Sequence, residues 1–128
     1  MIKVIYIATG GALGSVLRYW VSGLTHKLFN GGFPWGTLTV NLIGSLIIGI
    51  LWGGSEIFII SHNIRIFLFL GLLGSFTTFS TFTLENFSLM RDGEYWSTAL
   101  NVFLNVAFGI VLVFMGYFLV RLCIGIFK

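Results

Sequence analysis

Four long apolar stretches, about residues 4–24, 37–54, 66–89 and 96–126, dominate the chain, and each is closed by turn formers or charges. A helix needs about 20 apolar residues to cross a hydrocarbon core, so each stretch predicts one membrane-crossing helix. The connections are short. Asn30-Gly31-Gly32-Phe33-Pro34, Ser61-His62-Asn63 and Arg91-Asp92-Gly93-Glu94 carry the residues that end helices and make turns. Trp20, Trp35, Trp52, Tyr95 and Trp96 fall near the span ends, where amphipathic rings settle among headgroups. The pattern predicts an all-α membrane protein with four transmembrane helices, built as a single domain over residues 1–128, with both termini on one side. The apolar start after Lys3 has no small-residue cleavage pattern and is interrupted by Arg18, so it reads as a retained helix.

Polar residues break the apolar pattern at spacings that matter. Thr37, Asn41 and Ser45 recur every four residues and share one face of the second helix. An asparagine amide in hydrocarbon must be hydrogen-bonded, either to a neighbouring helix or to a permeating ion or water. Thr98, Asn101 and Asn105 begin a similar stripe on the fourth helix, which stops at Gly109, Leu112 and Val113. In the third span Gly71 and Gly74 weaken the helix, and Ser75, Thr77 and Thr78 compete for its carbonyls. That run predicts a break near the bilayer midplane. Carbonyls freed there are hard ligands suited to Na⁺; a tightly packed, unbroken helix is the other reading. Phe79 and Phe82 are three apart and share a face. They serve packing, or their positive ring edges meet an anion.

Composition supports the membrane reading and removes other classes. The chain is 57% hydrophobic and 9% charged, with a mean hydropathy of +1.02, leaving no room for a soluble domain. The net charge of +3 is scattered over seven basic residues, too sparse to track phosphates, so no nucleic-acid partner is expected. Cys123 is alone, which excludes a disulfide framework. His26 and His62 read as loop residues, and no carboxylate dyad or Ser, His and Asp set can converge, so an enzyme is not expected. Lys3, Arg65, Arg121 and Lys128 lie on the terminal side; Lys27 and Arg91 lie on the other, with Arg18 near it. Four basic residues against three is almost no orientation bias, which suggests dual topology and an antiparallel homodimer. Gly10 with Gly14, Gly49 with Gly53 and Gly109 with Gly116 allow close helix approach, within a subunit or between two.

GGALGSVLRYW (10–20), PWGTLTVNLIGSLIIG (34–49) and GLLGSFTTFSTFTLENF (71–87) together resemble the Fluc (CrcB) family of bacterial fluoride channels along nearly the whole chain. The second and third segments carry the specificity. The resemblance implies passive export of F⁻ through the bacterial cytoplasmic membrane, relieving fluoride toxicity. It implies a dual-topology antiparallel homodimer with two pores and a central structural Na⁺ that is not transported. By position, Asn41 would be a pore amide, Phe79 and Phe82 the aromatic anion contacts, and Gly74 and Thr77 the backbone-carbonyl sodium ligands. Arg18 and Glu85 would match the family's first-helix arginine and third-helix carboxylate, paired or set at the vestibules. The family often carries fourth-helix hydroxyls where this chain has Gly109 and Val113. Either Thr39, Ser80, Thr81 or Asn105 supplies the missing donors, or one pore is degenerate, or the chain is one subunit of a heterodimeric channel. The other class to weigh is a small multidrug-resistance-type proton-coupled cation exporter, which usually needs a first-helix carboxylate; this first helix has none.

Overall fold

The computed structural model describes residues 1–29 and 31–126. Asn30 of the first turn cluster and Lys128 of the charge count lie outside the described residues. Helix α1 is Ile2–Leu28 and α2 is Trp35–Ser55. Helix α3, residues 62–76, opens with a turn over His62–Arg65, widens to π-helical hydrogen bonding over Ile66–Leu73 and closes with Gly74–Phe76. Helix α4 is Phe79–Arg91. Helix α5, residues 95–126, runs through Tyr95–Phe103, a wide segment Leu104–Phe108, and Gly109–Ile126. Ile2–Leu28, Trp35–Ser55, His62–Arg91 and Tyr95–Gly125 are each long and apolar enough to cross a membrane.

Two span ends differ from their sequence expectation for local reasons. His26, expected in a loop, sits in the last turn of α1 beside Lys27. Cations are favourable at a helix C-terminus, and nothing in the chain breaks the helix earlier. His62, also expected in a loop, opens α3 because the Ser61 hydroxyl accepts a hydrogen bond from the Ile64 N–H at 3.4 Å.

Small residues bring the helices together in pairs. A Cβ placed on Gly10 would stand 2.6 Å from the Phe67 carbonyl oxygen, and one on Gly14 would strike that of Leu72, so α1 lies backbone to backbone on α3. Gly49 and Gly53 meet Val113 and Tyr117 in the same way, and Gly116 meets Leu46, so α2 lies on α5. These glycines are used in packing within the chain. The interior they enclose is narrow and partly polar: Leu38, Val40, Leu73, Phe76 and Phe82 are buried beside Thr25, Thr37, Asn86 and Asn101. Large apolar side chains such as Leu13, Trp20, Phe114 and Leu122 point outward, as expected where lipid is the solvent.

Beyond the end of α2, Glu56 accepts hydrogen bonds from the Tyr117 hydroxyl at 2.9 Å and from Arg121. The Tyr117 bond first, then the Arg121 bond, holds the Glu56 carboxyl below its ordinary range. The contact ties the connection after α2 to the last turns of α5.

Candidate functional site

Between α3 and α4 two residues leave the helix. Thr77 (φ −85°, ψ 161°) and Thr78 (φ −151°, ψ 127°) are extended, and the helix restarts at Phe79. The Thr77 hydroxyl donates back to the Leu73 carbonyl at 2.9 Å, and the Thr78 hydroxyl caps α4 by accepting from the Thr81 N–H at 3.3 Å. Backbone groups in such a segment need partners where water is absent. Asn41 of α2 supplies two. Its Oδ1 accepts from the Thr78 N–H at 3.0 Å, and its Nδ2 donates to the Thr78 carbonyl at 3.2 Å. Its remaining N–H goes to Asn105 Oδ1 at 3.0 Å. Gly44, one turn along α2, leaves room for the Thr77 methyl, which any side chain there would displace.

Two cavities flank this segment, and Thr78 lines both. The first, about 360 Å³, brings together Asn41, Gly74, Thr77, Phe79, Phe82 and Asn105, six of the residues singled out from sequence. Ser45 adds a hydroxyl. The Phe79 and Phe82 rings stand 5.8 Å apart and are tilted by 41°. Phe82 is 8% exposed, whereas Phe79 is 77% exposed and projects from the single chain. Among the described residues, no lysine or arginine lines this cavity.

The second cavity, about 430 Å³, is lined by Arg18, His26, Thr37, Thr81 and Glu85, with Ser22. Glu85 Oε1 accepts from the Thr37 hydroxyl at 2.6 Å, and its buried Oε2 has no partner among the described residues. Arg18 shares the cavity with Glu85 without forming an ion pair; the ion pairs among the described residues are Arg91 with Asp92 and Arg121 with Glu56. Ser80 is exposed and lines neither cavity, and neither does Thr39. Gly109 faces the Ser45 hydroxyl and the Val113 backbone lies against Gly49, so both positions serve the α2–α5 contact.

Asn86 escapes the sequence reading. It is buried on α4 and accepts through Oδ1 from Asn101 Nδ2 at 3.1 Å. Its position four residues after Phe82, on the same face, is the available signal.

Four segments able to cross a membrane, packed around a partly polar interior with an extended interruption flanked by two cavities, define a multi-pass helical membrane protein. The family described as CrcB-like protein, Camphor Resistance (CrcB), matches residues 5–117, and the chain belongs to that family. It is similar to a protein of Parabacteroides distasonis named Fluoride-specific ion channel FluC, at 45% identity over 128 residues and all of both chains. Proteins of that name from Shewanella halifaxensis and Desulfotalea psychrophila are 42% and 45% identical, covering 94% and 91% of this chain and 97% and 90% of theirs.

Proposed function

We propose that this chain is a fluoride-specific channel of the bacterial cytoplasmic membrane, working as a dual-topology antiparallel homodimer that lets F⁻ leave down its electrochemical gradient. The observation that carries the reading is the first cavity, where amide, hydroxyl and ring-edge groups converge with no lysine or arginine among the described residues that line it. Fluoride is small and strongly hydrated, so a pore must replace its water with donors without trapping the ion. Asn41 and Ser45 offer such groups, Asn105 turns its oxygen to the Asn41 amide while its NH₂ is bonded to Asn101, and the edges of Phe79 and Phe82 add weak positive potential. An arriving ion takes the N–H that Asn41 gives to Asn105, because the other Asn41 contacts hold the Thr78 backbone. Arg18 brings a positive charge to the second cavity beside Glu85, and Thr78 lines both cavities.

In this reading the interruption at Thr77 and Thr78 lies near the bilayer midplane, as the broken third helix of each subunit. Gly74 and Thr77 suit a structural Na⁺. The helical partner of the Gly74 carbonyl would be the Thr78 N–H, which goes to Asn41 instead. The partner of the Thr77 carbonyl would be the Thr81 N–H, which goes to the Thr78 hydroxyl. Both oxygens are therefore left to a hard cation, which when bound supplies fixed positive charge at the subunit contact. Pairing of two copies is supported by the outward Phe79 and by the near-even charge of the two sides. The cation-exporter reading is not favoured, because α1 carries no carboxylate.

Liposomes containing the chain, with a potassium gradient and valinomycin setting the voltage, test this. Fluoride release should follow the voltage and be unchanged when the proton gradient is collapsed. Voltage-insensitive fluoride retention, with uptake of an organic cation driven by the proton gradient, would overturn it.

A further inference from the structure

Behind the first cavity four asparagines pass a hydrogen bond from one to the next. Asn41 Nδ2 donates to Asn105 Oδ1, Asn105 Nδ2 to Asn101 Oδ1 at 2.9 Å, Asn101 Nδ2 to Asn86 Oδ1 at 3.1 Å, and Asn86 Nδ2 to the Phe82 carbonyl at 2.8 Å. The line runs from α2 to α5 to α4. Asn41 and Asn105 reach the cavity; Asn101, 0% exposed, and Asn86, 8% exposed, do not.

The line has a direction. A carboxamide is an acceptor at one end and a donor at the other, so turning one over exchanges the two. The Phe82 carbonyl can only accept, which points the Asn86 NH₂ toward it and the Asn86 oxygen toward Asn101. Asn101 must then turn its NH₂ to Asn86 and its oxygen to Asn105. At the far end the Thr78 N–H can only donate, which points the Asn41 oxygen at it and leaves an Asn41 N–H for Asn105. A third backbone group agrees: the Asn101 carbonyl accepts from Asn105 Nδ2 at 3.0 Å. That bond alone would let the Asn105 amide swing, and the second bond to Asn101 Oδ1 fixes its plane. Reversing any member would set two oxygens or two NH₂ groups face to face, which is costliest at Asn86 and Asn101, buried where an unmade hydrogen bond has no water to replace it.

We propose that Asn86 and Asn101 are positioning residues: through this directed line they hold the Asn105 amide, and with it the Asn41 N–H, in the orientation the permeating anion meets. The proposal rests on the fluoride-channel reading and deepens it. Asn86 sets the direction from outside the cavity, so its loss disturbs conduction without removing any group that touches the ion.

The chain has six asparagines, so selective ¹⁵N-asparagine labelling in lipid nanodiscs yields a side-chain amide spectrum simple enough to assign. Asn86→Leu should shift the side-chain signals of Asn41 and Asn105 and reduce fluoride release per folded protein about tenfold, as expected for one misplaced hydrogen bond. Asn86→Ala, which crowds nothing, serves if the leucine variant does not fold. Unmoved Asn41 and Asn105 signals would overturn the proposal. So would moved signals with wild-type release, and a lowered melting temperature alone would make the line a packing device. Wild-type protein that releases no fluoride would overturn the channel reading by itself, and the signals would then decide the asparagine line alone.

Discussion

Asn41→Ala is expected to stop fluoride release and to lower the melting temperature, the largest functional loss anticipated from a single residue. Alanine removes the acceptor for the Thr78 N–H, the donor for the Thr78 carbonyl and the link to Asn105 together. An orphaned backbone group costs about 1–3 kcal/mol where water cannot replace its partner, so the part-buried extended segment loses at most about 2–6 kcal/mol of support. The pore also loses the amide that replaces fluoride's water. Release per folded protein should fall at least about a hundredfold, since each 1.4 kcal/mol is a factor of about ten. A fluoride electrode on proteoliposomes and a thermal melt in detergent measure the two effects separately. Full release by the variant would remove Asn41 from the route, and an unchanged melt would remove it from the support of Thr78.

Gly49→Val should have the largest effect on folding. Any Cβ at Gly49 would strike the Val113 carbonyl oxygen, and the obstacle is backbone within a helix, which cannot rotate aside. The α2–α5 contact must open, at about 3 kcal/mol or more, the upper end of ordinary overpacking costs. Gly54→Ala on the same helix meets nothing within 4 Å and should leave the protein intact. Size-exclusion profiles and melting temperatures of the two variants side by side check this. Equal behaviour would mean that α2 and α5 do not meet at Gly49.

Four crossings were legible because hydropathy over about 20 residues depends on composition alone, and that signal survives any local detail. The ends were less so: His26 and His62 look like loop residues, but a favourable helix terminus and a serine cap hold both in helices. Asn41, Phe79, Phe82 and Asn105 could be picked out because polar or aromatic residues at helical spacing stand out against an apolar background. Their convergence in one cavity depends on α2, α4 and α5 meeting, which spacing within one helix does not reveal. Asn86 was missed for that reason, since its partner Asn101 lies on another helix. The glycine pairs were visible, but whether they faced a neighbour in the same chain needed the contacts of Gly10, Gly14, Gly49 and Gly116. The resemblance left Arg18 and Glu85 either paired or set at the vestibules; in the fold, Thr37 holds one Glu85 oxygen and Arg18 lines the same cavity without pairing.

Passive release of fluoride and chloride, recorded together from liposomes containing this chain as the sole protein, decides whether it is a fluoride-selective channel. Fast fluoride release with negligible chloride is expected, by homomeric protein and despite Gly109 and Val113 on α5. Retention of both ions by folded, reconstituted protein, or release of both alike, would contradict it.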